Sequence, residues 1–180
     1  INGGMELIMK LKNGFYTALG TPLTANGDLV ADSLKKHIDQ QINAGAAGLL
    51  LMGSMGIEAY LKNSAYADVV KVGIEAVDGR VPLFIGVMDN SIVKVLEKID
   101  MIGKDKKVTA VVLTSPYYST LNNDQLVNWF TTIADYSPYP VYLYDLAVVT
   151  KVKITLPVID KIINHKNIKG IKTADWEMIQ

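Results

Sequence analysis

Ala47-Gly-Leu-Leu-Leu-Met-Gly-Ser-Met-Gly56 is a run of large apolar residues that passes without a break into a glycine-rich turn. A short, continuously apolar run of this kind reads as a strand covered on both faces. Upstream, Leu34, Ile38 and Ile42 recur at helical spacing from a start near Asp32 or Ser33, and Gly45 stops the helix. Downstream, Ala65 to Val77 reads as a helix with Val69, Val70, Ile74 and Val77 on its apolar face. Helix, buried strand, glycine turn and helix make one βα unit, and the rest of the chain repeats it.

Phe15 to Leu19 reads as the first strand, ahead of the turn-rich Gly20-Thr-Pro-Leu-Thr-Ala-Asn-Gly27. Val81 to Val87 is the third strand, and Ser91 caps a helix carrying Ile92, Val95, Leu96 and Ile99. Val108 to Thr114, a helix starting at Asp124, Pro140 to Tyr144 and a helix over Leu156 to Ile163 follow. The sixth strand is Asn167-Ile-Lys-Gly-Ile-Lys-Thr-Ala-Asp175, expected to be buried through Ile168 and Ile171. Such alternation predicts a parallel sheet with right-handed crossovers, either doubly wound or a (β/α)8 TIM barrel. No linker marks a second domain. In both folds chemistry gathers where strands end, here at Thr21, Ser54, Met88 to Asn90, Ser115 to Tyr118, Tyr144 with Asp145, and Lys172.

The 180 residues are 49% hydrophobic and 20% charged, with zero net charge, so no field recruits nucleic acid or an anionic membrane. Cysteine is absent, which excludes disulfides, a thiol nucleophile and a cysteine zinc site. His37 and His165 do not form a metal-ligand pair, and neither is placed for a serine–histidine hydrolase. Arg80 is the sole arginine and precedes its strand, which puts it on the structural face. The apolar run from Ala44 to Ile57 is broken by four glycines and is no membrane span. Ile1-Asn-Gly-Gly4 looks like a cloning remnant before Met5; with no signal peptide visible, the expected compartment is the cytoplasm. Lys172 stands at its strand end between apolar neighbours, where a charge is costly and a neutral amine can attack a carbonyl.

Six segments, in order, resemble one family: Thr17-Ala-Leu-Gly-Thr-Pro22, Gly53-Ser-Met-Gly-Ile-Glu58, Gly79-Arg-Val-Pro82, Pro116-Tyr-Tyr118, Tyr142-Leu-Tyr144 and Gly170-Ile-Lys172. The chain resembles the dihydrodipicolinate synthase and N-acetylneuraminate lyase family of Schiff-base aldolases, from about Gly14 onward. That resemblance implies a (β/α)8 barrel, usually a homotetramer built from dimers, of which this chain holds about the first six strands. An eight-unit barrel needs about 250 residues, so residues 5–180 are expected to be a piece of a longer catalytic domain.

By the same resemblance, Lys172 condenses with the ketone of a 2-oxo acid, normally pyruvate, and Tyr144 shuttles protons to and from the intermediate. Ser54 stands for a threonine that links Tyr144 to a second tyrosine, Tyr118, which in the family reaches toward a neighbouring subunit's site. Gly53 and Met55 belong to the turn that receives the 2-oxo acid carboxylate. No metal or organic cofactor is implied, because the lysine imine is the electron sink. The expected partners are a small 2-oxo acid and an aldehyde.

Three departures bear on substrate. Ile57 is an insertion in the Gly53–Glu58 turn, and Met55 replaces a threonine hydroxyl that would hold the carboxylate. Asp145 stands where the family has asparagine, beside the site, to bind either substrate hydroxyls or a neighbouring backbone group. Val149 stands where the synthase branch has an arginine. Together they point toward the lyase branch and a hydroxylated 2-oxo acid. A sugar-acid dehydratase using the same imine and a non-catalytic 2-oxo-acid-binding barrel are the alternatives.

Overall fold

A computed structural model of the chain describes residues 11–174. The Ile1–Gly4 leader, Met5 and Asp175 lie outside the described residues. The strands are β1 (Tyr16–Ala18), β2 (Gly48–Leu51), β3 (Leu83–Gly86), β4 (Ala110–Thr114), β5 (Val141–Asp145) and β6 (Ile168–Thr173). Helices α1 (Ala31–Asn43), α2 (Asn63–Val77), α3 (Ile92–Ile102) and α4 (Asn123–Tyr136) follow the first four strands in turn. After β5 come two short helices, α5 (Ala147–Thr150) and α6 (Leu156–Ile162).

The six strands are parallel and lie in sequential order from β1 to β6. A doubly wound sheet reverses its strand order at a switch point. No reversal occurs here, so the alternation is that of consecutive barrel units. Among the described residues β1 and β6 each pair on one side only. No helix among them is long and apolar enough to cross a membrane.

Strand parity divides the core in two. Leu49, Leu51, Leu83, Ile85, Val111, Leu113, Val141 and Leu143 pack outward against the helices. Leu50, Phe84, Ala110, Val112 and Tyr144 form a second, inner cluster, joined by Tyr16 and Tyr142. Because both faces are covered, these strands need continuous rather than alternating hydrophobicity. Each large aliphatic side chain fully buried here contributes roughly 1.5–3 kcal/mol. On the inner face Phe84 meets Tyr16 and Tyr142 edge-to-face at centroid distances of 5.9 and 5.2 Å. Gly170 leaves room for that aromatic layer, since a Cβ there would lie 2.5 Å from the Tyr142 ring.

The helix ends follow local chemistry. Ser91 Oγ accepts the Lys94 N–H at 3.4 Å, as expected. The helix expected from Asp124 begins earlier, because Asn122 and Gln125 form a reciprocal capping box at 3.0 and 2.9 Å. Arg80 lies at the α2 C-terminus, donating to the Ala76 carbonyl and Asp39 at 2.6 Å each, so it is structural.

Two elements were not foreseen, a 3-10 turn over Glu58–Tyr60 and α5 itself. α5 is built from Ala-Val-Val-Thr, which carries no helical periodicity and is rich in β-branched residues. One expectation is corrected. β6 is not a fully buried strand: Ile168 is buried, but Ile171 is 38% exposed, because among the described residues β6 is an edge strand paired only with β5.

Candidate active site

Register places the central pair. Tyr144 near the end of β5 is the ladder partner of Lys172 on β6, so both side chains project from the same face. Lys172 Nζ lies 3.5 Å from the centroid of the Tyr144 ring. The Tyr144 hydroxyl lies 3.2 Å from Ser54 Oγ, across the sheet from the turn after β2. Three residues from three strand ends, far apart in sequence, thus converge as expected. The apolar enclosure foreseen for Lys172 is absent among the described residues, where the side chain is exposed at the sheet edge. The Tyr144 ring covers one face of it.

The other expected residues divide. Tyr118 is 89% exposed and its hydroxyl makes no hydrogen bond to Ser54 or Tyr144 among the described residues. Its backbone is nonetheless fixed, because Asn90 Oδ1 accepts the N–H groups of Tyr117 and Tyr118 at 2.9 and 2.8 Å. Gly53 is buried in the turn, whereas Met55 is 66% exposed above it.

Asp145 is resolved in favour of a neighbouring backbone group. Its carboxylate is buried and accepts the Ile154 N–H at 3.1 Å and the Thr173 hydroxyl at 3.2 Å. Each oxygen accepts a hydrogen bond from protein, so Asp145 serves as a tie between strand ends. It fastens β5 beside Tyr144 to β6 beside Lys172.

The turn carrying Ser54 has an unusual backbone. Met52 and Ile57 adopt left-handed conformations at φ 58° and 51°. A β-branched residue such as Ile57 pays for this region in steric strain. On the β1 side the Thr21 hydroxyl donates to the Gly56 carbonyl at 2.7 Å.

On the helix side lies a buried cluster that sequence reasoning missed. Lys98 on α3 donates to Glu58 Oε1 at 2.9 Å and to the Met88 carbonyl, and sits 3.2 Å from Asp89. Burial pushes the Glu58 carboxyl up to about 8, with Lys98 opposing that rise. For Lys98, burial acts to lower the pKa, but its carboxyl neighbours Glu58 and Asp89 more than offset it and leave it raised. Lys98 therefore stays charged. The signal was present: Lys98 falls within the Val95, Ile99 and Ile102 stripe that α3 buries.

Comparison with known proteins agrees with this fold. The profile of the Dihydrodipicolinate synthetase family matches residues 11–180. A 4-hydroxy-tetrahydrodipicolinate synthase of Ligilactobacillus salivarius is 29% identical over 165 residues, covering 91% of this chain and 57% of that protein. YagE, a prophage protein of this family from E. coli K12 solved with pyruvate, superposes with a TM-score of 0.83 at 28% identity. That match covers 89% of this chain and 54% of YagE. A chloride-inhibited dihydrodipicolinate synthase from Acinetobacter baumannii, also with pyruvate, gives 0.84 at 27% identity over 89% and 55% of the two chains. The chain thus spans about half the length of the relatives it matches. From the sequential parallel sheet, the converging Tyr144, Lys172 and Ser54, and the profile over nearly its whole length, the chain belongs to the dihydrodipicolinate synthetase family.

Proposed function

We propose that the whole protein is a class I carbon–carbon lyase that condenses a 2-oxo acid, pyruvate first among candidates, with an aldehyde, or cleaves the adduct. The observation that carries this is Lys172 Nζ at 3.5 Å over the ring of Tyr144, whose hydroxyl meets Ser54 at 3.2 Å. Pyruvate in two structural relatives supports the choice of 2-oxo acid.

Lys172 Nζ, as the free amine, attacks the C2 ketone and water leaves, giving an iminium on the side chain. In the cleavage direction the C3–C4 bond breaks and its electrons pass into the iminium, forming an enamine while the aldehyde departs. Tyr144 takes the proton that this step releases and returns one to C3, with Ser54 holding its hydroxyl. Water then hydrolyses the restored iminium and frees pyruvate.

The aldehyde is the finer question. Matched relatives carry the synthase name, yet the position where that branch has an arginine is Val149, on an exposed turn of α5. A neutral or hydroxylated aldehyde, as from a sugar acid, suits an apolar side chain there better than an anionic partner does. Borohydride trapping with pyruvate, followed by peptide mass spectrometry, tests the chemistry: a pyruvate-sized increment is expected on Lys172. A folded protein that gains none would remove the pyruvate aldolase assignment. A product assay for released pyruvate separates cleavage from dehydration.

A further inference from the structure

We propose that Lys98 is a positioning residue for the Ser54–Tyr144 pair, holding the β2–α2 loop in the conformation that presents the Ser54 hydroxyl. This rests on the function proposed above. The loop starts from left-handed Met52 and contains left-handed Ile57, so its backbone does not take this path unaided. Something outside the loop must over-determine it, and three contacts do so.

Thr21 takes the Gly56 carbonyl on one side. Beneath the loop, the Met52 carbonyl is pressed against Gly86, where an added Cβ would lie 1.8 Å from that oxygen and 2.7 Å from Glu58 Oε2. The third contact is the buried cation. Glu58 opens the 3-10 turn that immediately follows Ile57, and Lys98 reaches it from α3 while also holding the Met88 carbonyl and Asp89 at the end of β3.

Lys98 thereby joins the end of β3, the loop after β2 and helix α3 through one ammonium group. Its ring neighbour Tyr66, 5.4 Å away, donates to the Gly86 carbonyl at 2.9 Å and closes the same cluster. Among the described residues Glu58 Oε2 makes no hydrogen bond, and Lys98, bonded to Oε1, is the side chain that compensates this buried carboxyl beside the Met88 backbone. Without Lys98 the carboxyl has reason to leave its site, and the loop it begins moves with it. Ser54 lies four residues before Glu58 on that loop.

Lys98 is held by Glu58, the Met88 carbonyl and Asp89 and makes no contact with Lys172 among the described residues, so its effect is expected on proton movement and not on imine formation. Exchange of the pyruvate methyl protons with D2O reads the first. In that step the C3–H bond of the iminium breaks, its electrons form the enamine, the proton goes to Tyr144, and a deuteron returns. Borohydride trapping at saturating pyruvate reads the second.

Lys98→Met is expected to slow exchange by about tenfold or more with trapping retained. The double variant Ser54→Ala/Lys98→Met is expected to be no slower than Ser54→Ala alone, within about twofold, because both changes remove one interaction. Independent, multiplicative losses would overturn the proposal, as would a parallel loss of trapping. Should Lys98→Met not fold, Lys98→Gln, which keeps a neutral N–H donor group on a shorter side chain, takes its place in the same cycle.

If the unmodified protein neither traps nor exchanges pyruvate, the aldolase assignment is what fails. The positioning role is then decided by a crystal structure of Lys98→Gln. A Ser54–Tyr144 separation beyond hydrogen-bond distance supports it; the present 3.2 Å, unchanged, overturns it.

Discussion

Tyr144 and Lys172 are ladder partners, so their side chains meet without help from any loop, and their roles can be separated by substitution. Lys172→Ala is expected to give no trapped adduct with pyruvate. Tyr144→Phe keeps the ring beneath Lys172 and should still form the imine, with proton exchange slowed by about 10²–10⁴. Equal loss of trapping and exchange in Tyr144→Phe would show that the hydroxyl acts in imine formation instead. Glu58 makes a separate prediction about stability. Its folded pKa of about 8 stands above the ordinary 4.5, so the folded protein holds an extra proton between those values. Stability from this group is therefore full below about pH 4.5 and is lost as pH rises toward 8. The slope is at most about 1.4 kcal/mol per pH unit for one proton. Urea unfolding between pH 5 and 8 should show a flatter dependence for Glu58→Gln than for the unaltered chain, and identical slopes would refute it.

At the scale of elements, the segment after β5 is held by side chains rather than by its own propensity. α5 is four residues long and exposes Val148 and Val149, so a single tie at its base matters. Asp145 supplies it, binding Ile154 N–H and Thr173 across the gap from β5 to α6 and β6. Asp145→Ala leaves a buried N–H without its acceptor and is expected to cost about 1–3 kcal/mol in chemical denaturation. Because the same tie joins the ends of β5 and β6, pyruvate trapping at Lys172 should weaken as well. Undiminished stability and trapping would show that Asp145 is dispensable. The α4 capping box is a cleaner case: Asn122→Ala should cost about 1 kcal/mol with no change in trapping.

Over the whole molecule, six parallel strands in sequential order make a sheet whose two edges, β1 and β6, are unpaired among the described residues. Phe15 beside β1 is 74% exposed and Ile171 on β6 is half-exposed. Unpaired edges with apolar flanks are templates for association. The 180-residue chain, taken alone, is therefore expected to self-associate, with a sedimentation coefficient that rises with concentration. A monomer at all concentrations would show that these edges are protected. The exposed Tyr118 and Met55 belong to the same scale, since neither has its expected neighbours within one described chain.

The sequence by itself determined the strands, the major helices and the strand-end residues Ser54, Tyr144 and Lys172 that the fold brings together. Continuous apolar runs such as Leu49–Met52, short and bounded by glycines, read as strands covered on both faces, and strand ends are where a lysine, a tyrosine and a serine can meet. Alternation alone left a barrel and a doubly wound sheet open, since both produce it along the chain. The family resemblance pointed to the barrel, and the sequential strand order of the tertiary structure bears that out. Only the tertiary structure decided what Asp145 binds, since a carboxylate beside a site satisfies substrate or backbone equally well on paper. It alone showed Lys98 and Glu58 together. Helical spacing puts Lys98 on a buried stripe, but the identity of its partner, forty residues earlier, is a matter of how α3 packs on the loop after β2. Burial of a charge is written in the sequence; what compensates it is written in the packing.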